Sequence, residues 1–298
     1  MSRWLPDRPA RGLALGIAAD GCALRDDARG GGARHQAWPK PWARLSATEV
    51  VATLDALAGA GAPRGRACRL ALAEDLVRYW IVEPPAGTRS LAELRAVALA
   101  RGARLFGDAS GKDAGLPGWR VEAAWDAARP FLASAVPAAI ADGVEAWARR
   151  ERVDLGAAGL ATPLLHLLPR LRPAASDAAW LCVTWPECTQ LILLRQRRVA
   201  VLRVLRPGPA APLASRLADA AEELRREQLR GGPTDGLPAF WVNRDASLES
   251  KDLGPTLSVD GGAVTLTRLG ALAGLPSLDD EAPASLAMRY ARLAALEG

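Results

Sequence analysis

Histidine and lysine are nearly missing from this sequence: two histidines and three lysines (Lys40, Lys112 and Lys251) stand among 298 residues. Arginine therefore carries almost all of the 38 basic charges, yet the net charge is only +5 and no stretch sets five basic residues side by side. Attraction to polyanions is weak and salt-screened in such a chain, so the pI of 9.4 reflects composition more than a nucleic-acid surface. Cysteine is also sparse. Cys22, Cys68, Cys182 and Cys188 form no CxxC pair and have too few neighbouring histidines for zinc, which leaves reduced, structural thiols. Uncharged stretches such as 155–169 fall short of the ~20 apolar residues of a membrane span, and that one is interrupted by Gly156, Gly159 and Pro163. The segment from Met1 to Arg11 holds Arg3, Asp7, Arg8 and Arg11 and lacks the apolar core of a secretory signal, so the expected location is the cytoplasm. No GxxxxGK[ST], GxGxxG or GxSxG occurs. His35 lies in a Gly/Arg loop and His166 on a leucine-rich helix pattern, where a satisfied core or boundary role is the default.

What is present is a globular composition, half hydrophobic and 24% charged, on a chain long enough for one large domain or two modest ones. Leu13, Leu15 and Ile17 alternate, Asp20-Gly21 signals a hairpin turn, and Cys22 and Leu24 resume the strand. A third strand ends at Trp38, and a helix starts at Thr48 and stops at Gly59. Strands follow at 68–72 and 76–82, then a helix over 91–106 opened by Ser90 and Glu93 as a capping box. Strands at 119–125 and 131–136 precede a helix over 137–150 with proline in its first turn. A strand over 153–161 and a short Thr162-capped helix lead to the small-residue segment 170–177, the best boundary in the chain. Beyond it the opening pattern recurs: strands at 179–184, 191–194 and 199–205, the third entered by a turn at 196–198, then an amphipathic helix over 212–230 with Leu213, Leu217, Ala220, Ala221 and Leu224 on one face. A strand at 239–243, a hairpin over 257–269 and a helix over 284–296 complete the reading.

A three-strand meander followed by a helix, occurring twice, resembles the actin-like ATPase fold shared by actin, Hsp70 and sugar kinases. Leu15-Gly16-Ile17 with its hairpin, the run from Leu70 to Pro85, Pro130-Phe131-Leu132 to Val136-Pro137, and the meander from Trp180 to Arg206 look like the PilM family of type IV pilus assembly and the cytoplasmic domain of GspL in type II secretion. The fold this implies is α/β, an actin-like (ribonuclease H-like) duplication of two mixed-sheet halves flanked by helices. Residues 1–172 would form the first half, with an inserted subdomain at about 86–150, and residues 173–298 the second. Each meander would sit at the centre of a five-stranded mixed sheet.

ATP-using members of that superfamily present, from each half, a hairpin whose Asp faces the phosphates through Mg²⁺ and whose glycine lets backbone N–H groups approach. Both loops depart from this here. In the first, Ala18 falls at the aspartate position, and Asp20, Gly21 and Cys22 read as turn chemistry before metal ligation. In the second, Val183 or Thr184 stands where the acid belongs and Trp185 near the glycine, followed by Pro186 and by Glu187, a solvated turn residue before a cation ligand. The late Gly-Gly that cradles adenosine is replaced by Trp241-Val242 running into Asn243. The expectation is therefore a scaffold without catalytic residue, cofactor or metal. By the resemblance it would dock the short cytoplasmic segment of an inner-membrane assembly protein, or the secretion motor ATPase, and sit peripheral to the membrane through that partner. Trp4, Trp38 and Trp42, flanked by prolines in loops, are candidate partner anchors or wedges between subdomains. The rivals are an active ATPase or kinase of the same fold using ATP and Mg²⁺, and a weak nucleic-acid module.

Overall fold

The computed structural model describes residues 12–26, 33–59, 64–106, 118–123, 125–155, 178–185, 187–196, 198–206, 208, 211–229, 236–243, 256–259 and 264–268. They divide into two compact units. The expected final helix, the short helix at Thr162 and the 170–177 boundary lie outside the described residues.

The first unit holds β1 (Leu13–Ala18), β2 (Gly21–Asp26), β3 (Arg34–Ala37), α1 (Ala47–Ala58), β4 (Cys68–Leu72) and α3 (Ala138–Glu151). Its sheet runs β3-β2-β1-β4, with β1 antiparallel to β2 and parallel to β4. Every residue of β1 is buried, as a strand covered on both faces requires. Edge strand β3 is exposed throughout. Ser46 caps α1 through a full capping box with Glu49, so the helix begins at Ala47, one residue ahead of the expected Thr48. Helices α1 and α3 touch closely: a Cβ on Gly143 would stand 2.6 Å from Val50 Cβ and 2.9 Å from the Ala47 carbonyl, and only glycine fits. Arg152, in the left-handed conformation with φ 55°, ends α3, and Asp154 bridges to Ala67 at the start of the strand expected over 153–161, whose residues from 156 on lie outside the described residues.

The second unit holds two sheets. One is β5 (Arg78–Val82), β7 (Phe131–Pro137) and β6 (Trp119–Ala123), ordered β5-β7-β6 and covered by α2 (Leu91–Phe106). Trp80, Val82, Phe131 and Ala133 pack here against Leu94 and Ala98, and the Trp80 indole donates to the Ala98 carbonyl at 3.1 Å. β6 stops at Ala123, so Trp125 follows the strand, and its ring meets that of Phe131 with centroids 5.7 Å apart and planes tilted by 60°. The other sheet comprises β8 (Ala178–Thr184), β9 (Thr189–Arg195), β10 (Arg198–Leu205), β11 (Ala239–Asn243), β12 (Thr256–Val259) and β13 (Val264–Arg268), ordered β10-β9-β8-β11-β13-β12. Helix α4 (Leu213–Leu229) lays Leu213, Leu217, Ala220, Ala221 and Leu224 onto Trp180, Cys182, Leu191, Leu193 and Trp241. Arg195 pairs with Arg198, so the turn into β10 is two residues and not the three expected.

The order β3-β2-β1-β4 is thus repeated as β10-β9-β8-β11: an antiparallel meander whose first strand is joined by a parallel fourth. The expected α/β class, mixed sheets flanked by helices, is present. The sheets have four and six strands among the described residues, where five and five were expected. The last hairpin accounts for the asymmetry, because β13 pairs parallel to β11 and adds β12 outside it.

Candidate functional site

The first candidate loop is built by the β1–β2 hairpin. Ala18 pairs with Gly21, closing a two-residue turn of Ala19 and Asp20, one position earlier than the Asp20-Gly21 turn expected. Glycine at 21 answers a different need. A Cβ there would lie 2.4 Å from the Gln36 carbonyl and 2.9 Å from Ala37 Cα, so β3 can lie against β2 only if position 21 has no side chain. The chain leaving β3 then returns over the turn. Trp38, a candidate anchor, is buried instead, and its indole N–H donates to the Ala18 carbonyl at 2.8 Å while its backbone N–H reaches the Asp20 carbonyl at 3.4 Å. Asp20 is exposed at the tip. Cys22 is buried; burial first, and the Asp20 charge second, push its thiol up to about 12, which keeps it protonated and unreactive. Of the other two tryptophans, Trp42 is half-buried in a single turn over Trp42–Arg44, and Trp4 lies outside the described residues.

The second loop joins β8 to β9, which pair to their ends at Thr184 and Thr189. Val183, Thr184 and Trp185 are all fully buried. The Trp185 backbone N–H donates to the Cys188 carbonyl at 2.8 Å, and its indole N–H donates to Gln190 Oε1 at 2.8 Å. From α4, Arg216 donates to the Trp185 carbonyl at 2.7 Å and to the Ala211 carbonyl at 3.1 Å, locking the loop to the helix. Thr184 Oγ1 donates to Asn243 Oδ1 at 2.8 Å, so the residue standing where a Gly-Gly was sought ties β11 to the end of β8. Glu187 is half-buried, and Pro186 lies outside the described residues.

Phosphate binding by such hairpins depends on backbone N–H groups turned outward and on open space above them. Here each hairpin holds one buried tryptophan, and at Trp185 the amide is spent inside its own turn. Among the described residues no three His, Cys, Asp or Glu side chains are grouped to hold a metal ion. Sequence reasoning missed Gln190 and Arg216. Arg216 left a signal: it lies three residues after Leu213 and four before Ala220, on the buried side of α4, where an arginine needs fixed partners.

No helix among the described residues is long and apolar enough to cross a membrane. No protein-family model matches the chain, and no curated protein matches it. Solved structures similar to it include the PilM-PilN type IV pilus biogenesis complex, at 16% identity and TM-score 0.44 over 82% of this chain and 84% of that one. The cytoplasmic domain of EpsL, an inner-membrane component of the type II secretion system of Vibrio cholerae, is similar at 10% identity and TM-score 0.41 over 96% and 94%. A Bacteroides thetaiotaomicron protein with the actin-like ATPase fold is similar at 8% identity and TM-score 0.40 over 80% and 84%.

Proposed function

We propose that this chain is a non-catalytic, actin-like scaffold of a type IV pilus or type II secretion assembly platform. It would dock the cytoplasmic segment of an inner-membrane partner, or the motor ATPase, and be held at the membrane by that partner. The observation that carries the non-catalytic part is the pair of tryptophans, Trp38 folded onto Ala18 and Trp185 folded onto Gln190, each inside the hairpin that would have to face a phosphate. Burying phosphate charge without Mg²⁺ or free N–H donors costs several kcal/mol, about three decades of affinity or more. The domain division at 172/173 belongs to the same proposal. The partner class rests on the sequence resemblance, and fold alone does not confer it.

Two measurements test the reading. Titration calorimetry with ATP and Mg²⁺ is expected to show no binding, and a dissociation constant at or below the micromolar range would replace the scaffold with an ATPase or kinase. The gene neighbourhood is expected to encode a bitopic membrane protein, and co-purification with its cytoplasmic segment is expected to succeed. If that segment and the motor ATPase both fail to co-purify, the docking role is lost.

A further inference from the structure

A cleft of about 360 Å³ opens between the end of β10 and the polar side of α4, lined by Thr189, Leu205, Arg206, Arg216, Asp219 and Arg226 among others. Thr189 and Arg216 are buried at 1% and 5% exposure, so a fixed guanidinium forms part of its inner wall. Some of the charge is neutralised in place. Arg226 Nε lies 3.1 Å from Glu222, and its Nη1 lies 3.5 Å from Glu223. Arg206 and Asp219 differ: both are exposed, both line the cleft, and among the described residues neither side chain makes a hydrogen bond or an ion pair. Asp219 and Arg216 are three residues apart on α4, neighbours on one side of the helix with Cβ atoms about 5–6 Å apart.

We propose that this cleft binds a small zwitterion, its carboxylate or phosphate end against Arg206, in the field of the fixed Arg216 guanidinium, and its ammonium end against Asp219. Guanidinium groups match oxyanions in a fork, and a carboxylate suits an ammonium point charge. A ligand with only one charge makes one of the two pairings and leaves the other exposed charge to water, so it gains less than a ligand that carries both. The volume is at the small end for ligand pockets and suits a group the size of an amino acid or a lipid headgroup. The proposal stands apart from the scaffold role and survives its failure.

Calorimetry with phosphoethanolamine and with β-alanine, against inorganic phosphate, acetate and ethanolamine, tests it. At least one zwitterion should bind about tenfold or more tighter than either of its halves, and Arg206→Ala and Asp219→Asn should each weaken it about tenfold. Both positions are exposed, so the variants should melt with the wild type, and an unchanged melting temperature secures the comparison. Flotation with phosphatidylethanolamine vesicles then separates the sources: flotation lost in Arg206→Ala assigns a lipid headgroup, and binding of the free zwitterion without flotation assigns a soluble ligand. No binding by either zwitterion, equal binding of the halves, or variants that bind like the wild type would overturn the proposal.

Discussion

The indole nitrogen of Trp38 stands 2.8 Å from the carbonyl oxygen of Ala18, joining the exit of one strand to the end of another two strands away in the sheet. This bond closes the first hairpin, and it separates two costs that mutation can measure. Trp38→Phe keeps most of the ring but strips the Ala18 carbonyl of its donor, for a loss of about 1–3 kcal/mol. Trp38→Ala also empties the site and should cost about 3–5 kcal/mol. Urea unfolding of the two variants checks both, and a neutral Trp38→Ala would mean that the indole is not packed as described.

Gly21→Ala should detach β3. The new methyl would meet the Gln36 carbonyl, which is backbone and cannot rotate away, at a cost of about 1–3 kcal/mol. Amide exchange at residues 34–37 should accelerate more than exchange in β1. Uniform acceleration would mean that the strain is shared across the sheet.

Trp185→Gly removes a fully buried side chain and should destabilise by about 3–5 kcal/mol. It should not create ATP binding, because Val183 and Thr184 still occupy the acidic position. A gain of Mg²⁺-dependent ATP affinity in this variant would show that the indole alone blocks the site.

Alkylation should follow unfolding. All four cysteines are buried, and burial pushes the Cys68 and Cys182 thiols, like that of Cys22, up to about 12. Near pH 8 iodoacetamide should label these three at the rate of global opening and label them freely in denaturant. Rapid labelling of any of them in the folded protein would contradict its placement.

Glu49 gives a pH signature. Its carboxylate accepts from Lys40, at 2.8 Å, and from the Ser46 backbone and hydroxyl, which lower it from 4.5 to about 2. A lowered folded value means that the contribution is complete above the unfolded value and fades as pH falls toward the folded one. Glu49→Gln should therefore melt below the wild type near pH 6 and converge with it by about pH 2. A difference independent of pH would point to packing instead of charge.

The strands and helices with strong periodicity were legible from local sequence. β1 shows Leu13, Leu15 and Ile17 in alternation, α2 spans Leu91–Phe106 as its capping residues indicate, and the apolar stripe of α4 is the one that meets Trp180 and Trp241. The repeated meander was legible for the same reason. The loops were less so, because partners far along the chain decide them. The turn position beside Gly21 is set by Gln36, and the role of Trp38 is set by Ala18, neither of which is a sequence neighbour. Arg216 was hidden by averaging: one charge within a strong apolar face does not disturb the pattern.

The contact of Gly143 with Val50 bears on how the chain is made. The two residues stand roughly ninety positions apart, so a ribosome working at about 5–20 residues per second would hold α1 without α3 for on the order of 5–20 s. During that interval Val50 lacks the helix it packs against, and the whole three-stranded β5-β7-β6 layer is synthesised in between. The nascent first unit is then a target for hydrophobic capture by chaperones, and its completion is timed by the emergence of a segment that belongs to neither of its sheet's edges.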